Sequence, residues 1–144
     1  MMMVLTLTIN AQEKDAATLK NMIETKQFVF KPRMVSPQTG GSRIVTSEYD
    51  LVLKEDKVVS YLPYFGRAYS SSYMVDGGIK FTSEDFSYTT KAAKSGWKIT
   101  IKPNDASGVQ EMYLDITKSG YASLYVTSSN RQGISFYGIV EQVK

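Results

Sequence analysis

Residues 94–126 read KSGWKITIKPNDASGVQEMYLDITKSGYASLYV, and their alternation decides the fold class. Trp97, Ile99 and Ile101 recur at every second position, as do Met112, Leu114 and Ile116, and Pro103 to Gly108 supplies turn residues between the two runs. A period of two marks half-buried strands, because successive side chains point to opposite faces of a sheet. Lys94-Ser95-Gly96-Trp97 and Lys118-Ser119-Gly120-Tyr121 share one form, a Lys-Ser-Gly followed by an aromatic residue that opens a strand. Both predict short hairpins, with glycine in the left-handed position of a three-residue loop and the ring pinning the register.

The same period extends to both sides. Downstream, Tyr121 to Val126 and Ile134 to Val143 read as the last two strands, separated by Ser128 to Gly133. Upstream, Phe28 and Phe30 alternate as far as Pro32, which suits an edge or a strand end because proline donates no ladder hydrogen bond. Pro37 to Gly41 is a turn. Tyr49, Leu51 and Leu53 then reverse at Glu55-Asp56 into Lys57 to Leu62, a hairpin, and Ile79, Phe81, Phe86, Tyr88 and Thr90 continue the alternation. About nine strands at a spacing of roughly 8–12 residues predict a mainly β (α+β) fold, an antiparallel meander curled into a barrel or sandwich. One helix is expected over Glu13 to Lys26. There Ala16, Leu19, Met22, Ile23 and Lys26 fall at helical spacing, Asn10 or Asp15 caps the start, and Leu19 and Ile23 pack on the sheet.

Composition narrows the chemistry. The chain has 144 residues, enough for one core, and residues 12–144 read as a single β-rich domain. Residues 1–11 read as a truncated signal peptide ending near Ala11, or as a strand in which Leu5, Leu7 and Ile9 alternate with threonine. There is no cysteine and no histidine, so disulfides, thiol chemistry and the commonest general base are all missing. The net charge of +3 is spread along the chain, and nucleic-acid binding, which needs clustered cations, gains no support. Asn104-Asp105 has turn chemistry without the spacing of a calcium loop, so neither a metal nor a cofactor is expected. The acids Glu48, Asp50, Asp76, Glu84, Asp85, Asp105, Glu111, Asp115 and Glu141 lie beside turns or at polar strand positions. A hydrolase built on two of them needs a pairing that no spacing here indicates.

One segment breaks the rhythm. Ser60 to Asp76, SYLPYFGRAYSSSYMVD, carries four of the ten tyrosines and one of the six phenylalanines around Arg67. Pro63 should end the strand before it, and Gly66 permits a sharp turn between large rings. Two readings stand. In one, the loop caps the open end of the sheet and carbonyls hold Arg67. In the other, Tyr64, Phe65, Arg67, Tyr69 and Tyr73 form a recognition surface, since tyrosine and arginine supply rigid area and planar donors. Asn130, Arg131 and Gln132 carry the same alternatives, a self-bonded turn or a second rim that converges with Arg67 on an anion.

SYLPYFGRAYSSSY, followed by GGIKF and later by NRQGISFYG, is similar to segments of a bacterial family known as domain of unknown function 4251, seen in Bacteroidetes. The resemblance spans about Phe28 to the end and implies an exported protein, periplasmic or at the cell surface, although no lipobox cysteine is present for a lipid anchor. It implies no reaction. The expected function is a non-enzymatic binding or interaction module using the Tyr64–Tyr69 loop. The alternatives are a carrier of a lipid, glycan or anion, and a hydrolase using paired carboxylates. The partner is an unknown small molecule or protein, and membrane contact is peripheral at most. Arg67→Ala separates the loop readings: a packed strut loses at least about 1 kcal/mol, a residue serving only a partner loses almost nothing, and the melting temperature reads the difference.

Overall fold

The computed structural model describes residues 16–37, 41–45, 48–63, 79–105, 109–128 and 133–143. Among the described residues one helix, α1 (Ala16–Glu24), precedes ten strands: β1 (Phe28–Pro37), β2 (Arg43–Ile44), β3 (Asp50–Lys54), β4 (Lys57–Leu62), β5 (Ile79–Ser83), β6 (Phe86–Ala93), β7 (Gly96–Pro103), β8 (Val109–Thr117), β9 (Tyr121–Ser128) and β10 (Ile134–Glu141). Nine form one antiparallel path in the order β5-β4-β3-β1-β10-β9-β8-β7-β6, while β2 adds a short pairing to β1. The result is a nearly closed barrel.

Closure follows from parity. Every neighbour along the nine-strand path is antiparallel, so its two ends, β5 and β6, run in the same direction. They are also consecutive in the chain, joined only by Glu84-Asp85. Two parallel strands cannot be joined by so short a link if they lie side by side. Residues 79–93 therefore form one long bent strand whose first half pairs with β4 and whose second half pairs with β7. A bend of this kind is how sheets turn corners.

Hydrogen bonds from the end of β7 fix the bend. Ser83 Oγ donates to the Asp105 carboxylate, and Glu84 N donates to Asp105 Oδ2 at 3.1 Å. Asn104 donates from its backbone N to the Asp85 carbonyl at 2.8 Å and from Nδ2 to Asp85 Oδ1 at 3.2 Å. The Ser83 hydroxyl, reinforced by the Glu84 N–H, holds the Asp105 carboxyl below the usual carboxylate range, although partial desolvation opposes it.

The interior is filled. Phe28, Phe30, Phe136, Leu51, Leu53, Ile101, Met112 and Leu114 are completely buried, each at an alternate position of its strand. Small barrels pack their own side chains in this way. Helix α1 adds Leu19, Met22 and Ile23 to the same core, while Ala16, expected on the apolar face, is exposed. The helix ends in a Schellman arrangement, with Gln27 N donating to the Met22 carbonyl at 3.0 Å and Lys26 N to that of Ile23 at 3.3 Å. Lys26 takes the left-handed position at φ 58°, and its ammonium lies 5.4 Å from the centre of the Tyr88 ring. Tyr88 Oη donates to the Ile23 carbonyl at 2.7 Å and so docks the helix on β6. Burial pushes the Tyr88 phenol above its ordinary range. No helix among the described residues is long and apolar enough to cross a membrane.

Two local expectations are corrected. Pro32 does not place β1 at an edge: β1 lies between β3 and β10, and the strand absorbs the proline at a register shift between Pro32 and Met34. Only the second Lys-Ser-Gly turn is a three-residue loop, with Gly120 at φ 96°. The first is a two-residue loop, Lys94-Ser95, because Gly96 already pairs with Ala93, and a Cβ at Gly96 would collide with the Ile116 carbonyl. The strand before the aromatic loop ends at Leu62, as Pro63 predicts. The proposed caps Asn10 and Asp15 lie outside the described residues, as do residues 1–11.

The acid limb of stability is expected to report the Asp105 contacts. A carboxylate whose folded pKa is depressed contributes stability that is fully present above its unfolded value, 3.8 here, and is lost as pH falls through the folded value. Denaturant melts of the native chain and of Asp105→Asn should therefore differ at neutral pH and converge in strong acid. Curves that stay parallel down the acid limb would refute the assignment.

Candidate functional site

The outward positions of the central strands are unusually aromatic. Register places Asp115 (β8) beside Ser123 (β9), Ser123 beside Tyr137 (β10), Tyr137 beside Met34 (β1) and Met34 beside Ile44 (β2), a single row across five strands. The adjacent pair Ile139 and Tyr121 lies next to it. On a half-solvated antiparallel sheet these outward positions would ordinarily be polar. Instead Tyr121 is 64% exposed, Ile44 76%, Tyr137 46% and Met34 41%, so large apolar groups face water together.

The small side chain of Ser123 and the missing one of Gly138 leave a depression among these rings. It has a volume of about 430 Å³ and a mainly apolar lining, to which Met34, Tyr121, Tyr137 and Ile139 belong along with Arg33, Asp115, Thr117 and Ser123. Pockets for small molecules run from roughly 300 to 1,000 Å³. Arg33 is the extra residue of the register shift in β1, and its carbonyl accepts from Val45 N at 2.9 Å. Bulges commonly re-aim a side chain beside a site. Arg33 lines the groove and its guanidinium has no ion-pair partner among the described residues, whereas Asp115 is paired with Lys98 at 3.6 Å. Next to the groove, Tyr113 and Tyr125 stack with ring centres 6.4 Å apart.

The side chains nominated from the sequence cannot be set against this groove. Tyr64, Phe65, Arg67, Tyr69, Tyr73, Asn130, Arg131 and Gln132 all lie outside the described residues. Their anchor points are described. β4 and β9 run in the same direction along the path, so their last residues, Leu62 and Ser128, lie at the same end of the barrel. At the root of the first segment Leu62 and Pro63 are buried, and Ser60 Oγ donates to the Ile79 carbonyl at 2.8 Å. Tyr61 is exposed beside it, 5.2 Å from the Tyr49 ring and with Lys80 Nζ 5.1 Å over its face.

Of the candidate acids, Asp76 lies outside the described residues, and Glu84, Asp85 and Asp105 meet at the bend. Glu84, Glu111, Asp115 and Glu141 each face a lysine in a solvent-washed pair, with separations between 3.6 and 3.9 Å. Asp50 is raised above the usual carboxylate range by burial, with Glu48 adding to the shift and Lys31 opposing it. Among the described residues no three acidic side chains are placed to hold a metal ion.

A family model described as a domain of unknown function (DUF4251) matches residues 10–140. A crystal structure of a DUF4251 family protein from Bacteroides eggerthii has a similar fold, with a TM-score of 0.58 and 17% sequence identity over 89% of this chain and 85% of that one. At that identity the likeness concerns the fold alone. No curated protein matches the chain.

Gly138 is the residue on which the shape of the groove depends most directly. A Cβ there would run into the Lys31 carbonyl oxygen and crowd Pro32, so only glycine lets β1 and β10 approach this closely. Gly138→Ala is expected to cost about 1–3 kcal/mol in chemical denaturation, the usual penalty for forcing backbone apart. An unchanged midpoint would show that β1 shifts freely.

Proposed function

The chain belongs to the DUF4251 family, and from its own surface we propose that it is an exported, non-enzymatic binding module. The observation that carries this reading is the tyrosine-flanked cavity of about 430 Å³ on the outer face. Exposed apolar surface of this kind costs solubility and marks contact with something else. The barrel interior supports the same conclusion from the other side. Completely buried phenylalanines and leucines occupy it, which favours an exterior site over an interior one.

The Tyr64–Tyr69 loop, with Arg67 and Tyr73, fits this reading as a second recognition surface, together with Asn130, Arg131 and Gln132, since β4 and β9, the strands that precede the two segments, end on the same side of the barrel. Exposed lysine pairs on four acids favour binding over hydrolysis, since a catalytic carboxylate is tuned by a pocket and not by a solvated cation. A periplasmic or surface address accords with the resemblance noted in the sequence. The partner is a small molecule or a protein, held without a cofactor.

Thermal melting of the whole chain against glycans, lipids and small organic anions tests the small-molecule form. A true ligand at 100 times its Kd adds about 2.7 kcal/mol, an easily read shift. Silence across the panel, combined with no capture of any protein on the immobilised chain, would remove the binding reading.

A further inference from the structure

We propose that the outer groove is a site for amphipathic carboxylates, molecules with a flat apolar body and one acid group. This deepens the binding-module reading and rests on it. Two features of the groove select the class. Its lining is mainly apolar, contributed by Tyr121, Tyr137, Met34 and Ile139, so a ligand covered with hydroxyls would bury polar groups without partners. Flat bodies suit it because aromatic rings prefer offset stacking on other planar surfaces.

The acid group follows from the charges. Asp115 already faces Lys98, but Arg33 has no ion-pair partner among the described residues. Arg33 belongs to the lining of this apolar groove, and a guanidinium is complementary to a carboxylate, which it binds through two parallel N–H donors. The register shift at Arg33 supports this assignment. It breaks the alternation of β1 at the position that supplies the cation, and the Val45 N–H holds the Arg33 carbonyl there.

Fluorescence titration with 1-pyrenebutyrate and its uncharged counterpart 1-pyrenebutanol tests the class. The acid is expected to bind more tightly than the alcohol. Arg33→Gln should weaken the acid by about tenfold or more and leave the alcohol within about twofold, since only the charged hydrogen bonds are removed. Ser123→Trp, which fills the depression, should abolish both. Tyr137→Ala, which removes one wall at an exposed position, should weaken both even if the tryptophan variant fails to fold. Glucuronate, an acid without an apolar body, should not compete.

Equal binding of acid and alcohol, or indifference of the acid to Arg33→Gln, would overturn the proposal. So would competition by glucuronate. If both probes bind but ignore Ser123→Trp and Tyr137→Ala, the groove is not the site, although the chain remains a binder. If neither probe binds, the carboxylate class is refuted, and the broader panel and capture experiment decide the module reading separately.

Discussion

The barrel depends on the bend at Glu84-Asp85. Without it, the strand that begins at Ile79 would continue straight along β4, and the nine-strand sheet would stay open, with its apolar inner face in water. The carboxylate of Asp105 receives the Ser83 hydroxyl and the Glu84 N–H, and Asn104 holds Asp85 on the next residue. The groups freed when the ladder is interrupted are thereby satisfied, as buried or half-buried polar groups must be. Polar contacts at the corner thus allow the hydrophobic face to close on itself.

At the opposite side of the barrel the first and last strands pair. The contact of β1 with β10 is also where the outer surface departs from a plain alternating sheet. Gly138 allows a close approach, Pro32 withholds a donor, and the shift after it presents Arg33. The irregularity in the β1–β10 pairing is therefore the one that shapes the groove. A regular pairing would leave a flatter face there.

The inside of the barrel and its outside carry different duties. Inside, aliphatic and phenylalanine side chains pack with no exposed area, and the helix contributes three more residues. Outside, charges pair loosely across strands, and such exposed pairs contribute little to stability. The tyrosines stand apart from both groups. They are exposed where the core does not need them, and Tyr121 and Tyr137 line the groove together with Asp115 of the Asp115–Lys98 pair.

Much of this architecture was legible in the chain. Period-two runs such as Trp97-Ile99-Ile101 and Met112-Leu114-Ile116 announced strands, Pro63 ended β4, and Leu19 and Ile23 announced the packed face of the helix, because local periodicity fixes which side chains share a face. The candidate site was less so. The aromatic run around Arg67 drew attention because it is contiguous, while Arg33, Met34, Tyr121 and Tyr137 are scattered over more than a hundred residues and meet only through register. Their signal was present, in tyrosines at positions where outward polar residues belong, but it has no meaning until strands are paired. Pairing partners, the bend that reads as two separate strands, and the role of Asp105 are likewise long-range facts. Local sequence determined which residues face inward; only tertiary structure decided which outward residues become neighbours, because a hydrogen-bonded ladder joins segments by geometry and not by their distance along the chain.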